Sequence, residues 1–144
     1  MTNQASEGGC LCGAIRYRFS CVPRVNALCH CRSCQRASGA PSVAWTVVTS
    51  SDFSFTAGTP ALFRSSPGVM RTFCGRCGTP LTYQRETETQ TIDVTTATLD
   101  APNDFAPACE IWLSHKISWE RSNEAIAQHA GSSRKDTAAT PGSN

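Results

Sequence analysis

Apolar residues recur at every second position along much of the chain, the pattern of strands with one wet face. Over residues 14–20, Ile15, Tyr17 and Phe19 alternate with Arg16, Arg18 and Ser20. Residues 27–31 predict a short strand that runs into a Cys-rich segment. Residues 42–49 are Val-rich around Trp45 and predict a buried strand. Phe53 and Phe55 alternate with Ser54 and Thr56 until Gly58-Thr59-Pro60 breaks the run. Leu62 and Phe63 lead to the turn Ser65-Ser66-Pro67-Gly68, and residues 69–74 and 81–85 predict two further strands. The Thr- and Val-rich residues 91–99 predict a long strand, and residues 110–113 a last short one. Helix signals are few. Residues 32–37 allow one or two turns, ended by Gly39 and Pro41. Ser122 can cap a short helix over residues 123–129, which Gly131 would end. Residues 132–144 hold almost no large apolar side chain and read as a disordered tail. The expectation is an all-β domain over residues 1–120 and a C-terminal tail over residues 121–144.

Composition narrows the function classes. A chain of 144 residues is one domain by default. Thirteen Lys and Arg against eleven Asp and Glu leave a net charge of +2, too small to predict binding to a phosphate backbone. The hydrophobic share of 40% includes nine Cys, so the core is thin and something else is needed to hold it. No run of 18 apolar residues predicts a membrane span. Residues 1–9 carry no apolar run of the signal-peptide kind, so the expected compartment is the reducing cytoplasm. There, clustered Cys point to metal or redox chemistry rather than to a disulfide framework, and the odd count agrees.

Seven of the nine Cys fall in three clusters: Cys10-Leu11-Cys12-Gly13, Cys29-His30-Cys31-Arg32-Ser33-Cys34 and Cys74-Gly75-Arg76-Cys77-Gly78. The first and third both end in Cys-Gly. Glycine permits a tight turn whose backbone N–H groups point at the sulfur. Together the two turns supply four thiolates, the closed tetrahedral set of a structural zinc. The middle cluster has three. Cys29 and Cys31 share one face of an extended segment, and Cys34 returns to the same point if the chain turns. Three protein ligands plus one open position is the catalytic pattern for zinc. His30, Cys21 or Cys109 could instead close the second site, and the halves could pair differently.

These motifs carry a resemblance. Gly9-Cys10-x-Cys12-Gly13-x-x-x-Tyr17, then Cys29-His30-Cys31-x-x-Cys34-x-Arg36-x-Ser38-Gly39, then Arg71-x-Phe73-Cys74-x-x-Cys77-Gly78-Thr79-Pro80-Leu81 resemble the glutathione-dependent formaldehyde-activating (GFA) family, also called the centromere protein V/GFA domain family. Thr98-Leu99-Asp100 and Ile111-Trp112-x-x-x-Lys116-x-x-Trp119 agree with it. The resemblance implies a zinc-binding β-tent fold of stacked small antiparallel sheets. It implies two Zn²⁺ per chain, a structural one on Cys10, Cys12, Cys74 and Cys77 and a catalytic one on Cys29, Cys31 and Cys34. It also implies carbon–sulfur lyase activity, in which glutathione and formaldehyde give S-hydroxymethylglutathione. Gln35 and Glu110 depart from the family pattern, which often has Arg and His at those positions.

Glutathione carries two carboxylates, and Arg36, Arg64, Arg71 and Lys116 are the candidate substrate-binding cations. Each feature also has a plainer reading. Both zincs could be structural, and the thiols could be redox groups. His30 reads as a satisfied buried or surface group, and His115 and His129 as bystanders. Cys21 and Cys109 read as small buried residues, and Trp45, Trp112 and Trp119 as core. The competing function is a non-catalytic zinc-stapled module that binds a protein or nucleic-acid partner.

Overall fold

The computed structural model describes residues 4–133. The strands are β1 (Ser6–Gly9), β2 (Arg16–Phe19), β3 (Val25–Cys29), β4 (Val43–Thr49), β5 (Phe53–Ala57), β6 (Ala61–Ser66), β7 (Val69–Phe73), β8 (Pro80–Arg85), β9 (Glu88–Thr95), β10 (Cys109–Ile111) and β11 (Ala127–Gln128). The α-helix α1 (Arg32–Ser38) lies between β3 and β4. Strands β1, β2 and β5 form a three-stranded sheet. The others form an eight-stranded sheet in the order β11-β10-β3-β4-β9-β8-β7-β6. The all-β expectation holds. The larger sheet is mixed, however, because β10 pairs in parallel with both β3 and β11.

The period-two reading of β2 is visible directly. Tyr17 and Phe19 are buried, and Arg16 and Arg18 face outward. On the central strand β4, Trp45 and Val48 alternate to opposite sides of the sheet. They belong to two separate core clusters. The first cluster joins Ile15, Tyr17, Phe19, Leu81, Val94 and Leu99 to Cys10 and Cys74. The second joins Trp45, Val69, Tyr83 and Trp112 to Cys29, Cys31 and Cys34. The trio Cys29, Cys31 and Cys34 is thus embedded in one core, while Cys10 and Cys74 root their group in the other and Cys12 stays exposed.

Several boundaries differ from the sequence pattern. The strand expected over residues 91–99 ends at Thr95, and Thr96–Thr98 form a 3-10 turn. The Thr98 hydroxyl, which donates to the Thr95 carbonyl at 2.8 Å, satisfies the backbone locally and bends it out of the ladder. The strand expected over residues 110–113 stops at Ile111, because Trp112 takes a left-handed conformation with φ 56°. The helix expected over residues 123–129 does not form. Ala127–Gln128 instead add β11 to the sheet, and the Trp112 and Leu113 amides donate to the Gly131 and His129 carbonyls. A tertiary edge with open hydrogen-bonding groups outcompetes a short helix of weak propensity. Trp119, expected in the core, is 70% exposed. Beyond Ser133 the expected disordered tail lies outside the described residues. No helix among the described residues is long and apolar enough to cross a membrane.

Candidate metal centres

The first centre is built by two turns far apart in the sequence, with Cys12 and Cys74 separated by 62 positions. After β1, the Gly13 amide donates to the Cys10 carbonyl at 3.1 Å, with Gly13 at φ 80°. After β7, the Gly78 amide donates to the Cys74 carbonyl at 2.8 Å, with Gly78 at φ 83°. A side chain at either glycine would be strained in that backbone region. The turns aim amides at sulfur: Ile15 at Cys10 (3.2 Å), and Arg76 and Cys77 at Cys74 (both 3.4 Å). The Leu11 amide donates to the Thr79 hydroxyl at 3.1 Å and ties one turn to the other. All four sulfurs, of Cys10, Cys12, Cys74 and Cys77, lie within 4.8 Å of one another. Cys12 is 3.6 Å from Cys10 and 3.7 Å from Cys74. No disulfide joins any of the nine Cys.

This donor set fits a divalent cation. Without one, four adjacent thiols cannot all ionise. Hydrogen bonding from the Thr79 hydroxyl and amide pulls the Cys77 thiol down to about 5. The Ala14 amide also lowers Cys12, but burial and its three sulfur neighbours outweigh that and push it up to about 11. A dication offsets the repulsion, and the backbone amides already favour the thiolate form.

The second centre is set by one short segment. β3 ends at Cys29, Cys31 caps α1, and Cys34 sits in the helix's first turn. The Cys34 amide donates to the Cys31 sulfur at 3.3 Å, and the Cys31 amide to the Cys29 sulfur at 3.5 Å. Gly39, at φ 72°, ends the helix by donating to the Gln35 carbonyl. The three sulfurs lie within 4.8 Å of one another and are 0–1% exposed. Among the described residues, no fourth Cys, His, Asp or Glu joins them. The alternatives that would have closed the site are therefore excluded. Cys109 is buried and Cys21 half-buried, and both stand apart from the trio. His30 turns away, its Nε2 lying 2.5 Å from Glu110 Oε1, with both side chains fully buried. The Cys29 thiol is raised above the ordinary range by its hydrogen bonds with Cys31 and Cys34, with burial adding to the effect. Such crowded, dehydrated thiols also fit a cation.

Glu110, marked in the sequence as a departure from the family pattern, pairs with His30, a contact that sequence reasoning missed because the two are 80 residues apart. Its second oxygen accepts from the Asn123 amide, and its backbone carbonyl accepts from His129 at 2.9 Å. The Gln35 side-chain amide donates to the His30 carbonyl at 2.7 Å and the His115 carbonyl at 3.2 Å. The loop that carries the three Cys is thus bolted to the C-terminal segment.

Beside this centre opens a cavity of about 570 Å³, which α1, β4, β6, β7 and β8 all help to line. Of the four candidate cations, Arg36 and Arg71 line it. Arg71 is 8% exposed, its guanidinium stacks 5.1 Å over the Tyr83 ring, and its Nε donates to the Ser65 hydroxyl at 3.0 Å. Its Nη2 lies 3.8 Å from the Cys34 sulfur, so Arg71 stands between the cavity and the trio. Trp45 also touches both. Arg64 pairs with Glu86 on the exterior, and Lys116 donates to the Ile117 and Glu120 carbonyls. Neither lines the cavity.

With this arrangement in place, the sequence matches the glutathione-dependent formaldehyde-activating enzyme family over residues 5–115. The chain belongs to this family. The GFA match contains both Cys groups and the whole cavity. Among solved structures, the GFA chain is similar to a Rhodobacter sphaeroides protein determined as a structural-genomics target. The TM-score is 0.58 at 24% identity, over 68% of this chain and 93% of that one. That likeness shows a shared fold. No protein of curated function matches the chain.

Proposed function

We propose that the chain is a zinc-dependent carbon–sulfur lyase of the S-hydroxymethylglutathione synthase type, acting in the cytoplasm. It would join a small thiol such as glutathione to a formaldehyde-type aldehyde and cleave the same adduct. The observation that carries this reading is the convergence of Cys29, Cys31 and Cys34, without a fourth protein ligand among the described residues, behind a cavity walled by Arg71. Cys10, Cys12, Cys74 and Cys77 would hold a second, structural zinc. A zinc ion on the trio would supply a Lewis acid that favours the thiolate of a bound thiol near neutral pH.

The reaction needs no redox partner. The S–H bond breaks and a C–S bond forms. The carbonyl π pair moves to oxygen, which takes up a proton. The chain's own residues position the reactants. Arg71, fixed by Ser65 and the Tyr83 ring, presents guanidinium N–H groups beside Cys34, where an oxyanion formed at the aldehyde would be stabilised. Three thiolates outweigh one divalent ion, and Arg71 offsets the surplus charge. Arg36 offers a fork for a substrate carboxylate. Holding both reactants in one cavity makes a bimolecular encounter local. Trp45, Tyr83 and Trp112 pack against the trio and keep water from its rear.

Cys31→Ser is the discriminating variant. A serine there still caps α1, since Ser is a favoured N-cap whose oxygen can accept from the Cys34 amide. Metal analysis should fall from two zincs per chain to one, with circular dichroism retained and adduct formation abolished. Full activity in the one-zinc protein would remove the proposal and leave a metal-pinned scaffold.

A further inference from the structure

The chemistry of the cavity wall narrows the thiol. This step rests on the thiol–aldehyde reading above. We propose that the thiol taken by this site carries a carboxylate on an apolar body, and that a free ammonium group contributes nothing to its binding. Both ionic side chains on the wall, Arg36 and Arg71, are cations, and no Asp or Glu among the described residues lines it. The nearby acids do not line the wall, including Asp93, which is buried across from Tyr83 on β9. Glu86 pairs with Arg64 on the exterior, and Glu110 is buried against His30 and the Asn123 amide. An ammonium entering the cavity meets Arg36 with no lining carboxylate to pair it, whereas a carboxylate meets a guanidinium fork.

The remaining wall is largely apolar. Trp45, Phe63, Phe73 and Pro80 supply it. Phe63 is 60% exposed on β6, so an aromatic ring stands at the cavity edge with most of its surface in water. A ligand with an apolar body would cover it. Glutathione matches the cations through its carboxylates but leaves its ammonium in solvent and its peptide groups against rings.

The test is calorimetric titration of the zinc-loaded full chain with matched thiols. Two probes, 3-mercaptopropionate and 2-aminoethanethiol, differ only in the charged end group. We expect the carboxylate to bind at least about tenfold tighter, or about 1.4 kcal/mol. The ammonium lowers the pKa of its own thiol, so 2-aminoethanethiol begins with the advantage at a metal. A preference for the carboxylate therefore reads the cavity wall. Arg36→Gln should shrink the ratio. A third probe, 2-mercapto-3-phenylpropionate, should bind tighter than 2-mercaptopropionate, and Phe63→Ala should remove that gain. Glutathione and its deaminated analogue should bind alike. Equal or tighter binding of 2-aminoethanethiol overturns the inference, as does a large loss on deaminating glutathione. The underlying reading fails differently: the trio takes no zinc, or none of these thiols binds.

Discussion

A Cys74→Ser protein should lose its fold. Cys74 receives two backbone amides, donates its own to the Thr79 carbonyl at 2.9 Å, and lies 3.7 Å from the Cys12 sulfur. It is one of the two thiols through which that turn can hold an ion shared with the turn after β1. A structural zinc contributes apparent binding of about 10–16 kcal/mol. A domain's whole stability is about 5–15 kcal/mol. Cys10 and Cys74 also belong to the core cluster around Tyr17 and Phe19, so loss of the ion unpins the packing of the small sheet against the large one. Far-ultraviolet circular dichroism and urea unfolding check this. A Cys74→Ser protein with native dichroism and a cooperative transition would show that the cores suffice without the metal.

The second large effect is expected from Glu110→Ala. The His30–Glu110 pair is fully buried, and removing Glu110 leaves the buried imidazole nitrogen without its partner, at a cost of about 1–3 kcal/mol. The cost spreads, because Glu110 also holds the Asn123 amide, and His30 sits between two of the three clustered thiols. Zinc affinity at the trio should therefore fall with stability, while the first centre keeps its ion. Glu110→Gln retains an acceptor for the imidazole and should lose less. Urea unfolding combined with metal counting reads both effects. A Glu110→Ala protein within about 0.5 kcal/mol of the parent would mean that the pair behaves like an ordinary surface contact.

Local chemistry made much of the molecule legible in the sequence. The 4 + 3 division of the Cys follows from Cys-Gly turns and from the spacing of Cys29, Cys31 and Cys34, and the sulfurs gather that way. β2 and α1 were readable because alternation and a glycine stop are short-range signals. What escaped was set by distant partners. β1 has the sequence Ser-Glu-Gly-Gly, with no apolar alternation to mark it. It becomes a strand by pairing with β2, where Gly8 lies across from Tyr17 and a Cβ would fall 2.4 Å from the Tyr17 hydroxyl, so only glycine admits that packing. β11 exists only because β10 offers it an edge. Glu110 stood out in the sequence only as a departure from the family pattern, and its partner His30 is 80 residues away. Four cations were equivalent in sequence; the register of β7 beside α1 placed Arg71 against Cys34, and Glu86 drew Arg64 outward.

The central claim is that the two centres differ in one ligand. X-ray absorption at the zinc edge, on protein carrying two zincs, tests it most directly. The account predicts an average of 3.5 sulfurs per zinc, with the remainder a light atom that an added thiol replaces with sulfur. Four sulfurs per zinc before any thiol is added, or no change on adding one, would contradict an open position on Cys29, Cys31 and Cys34.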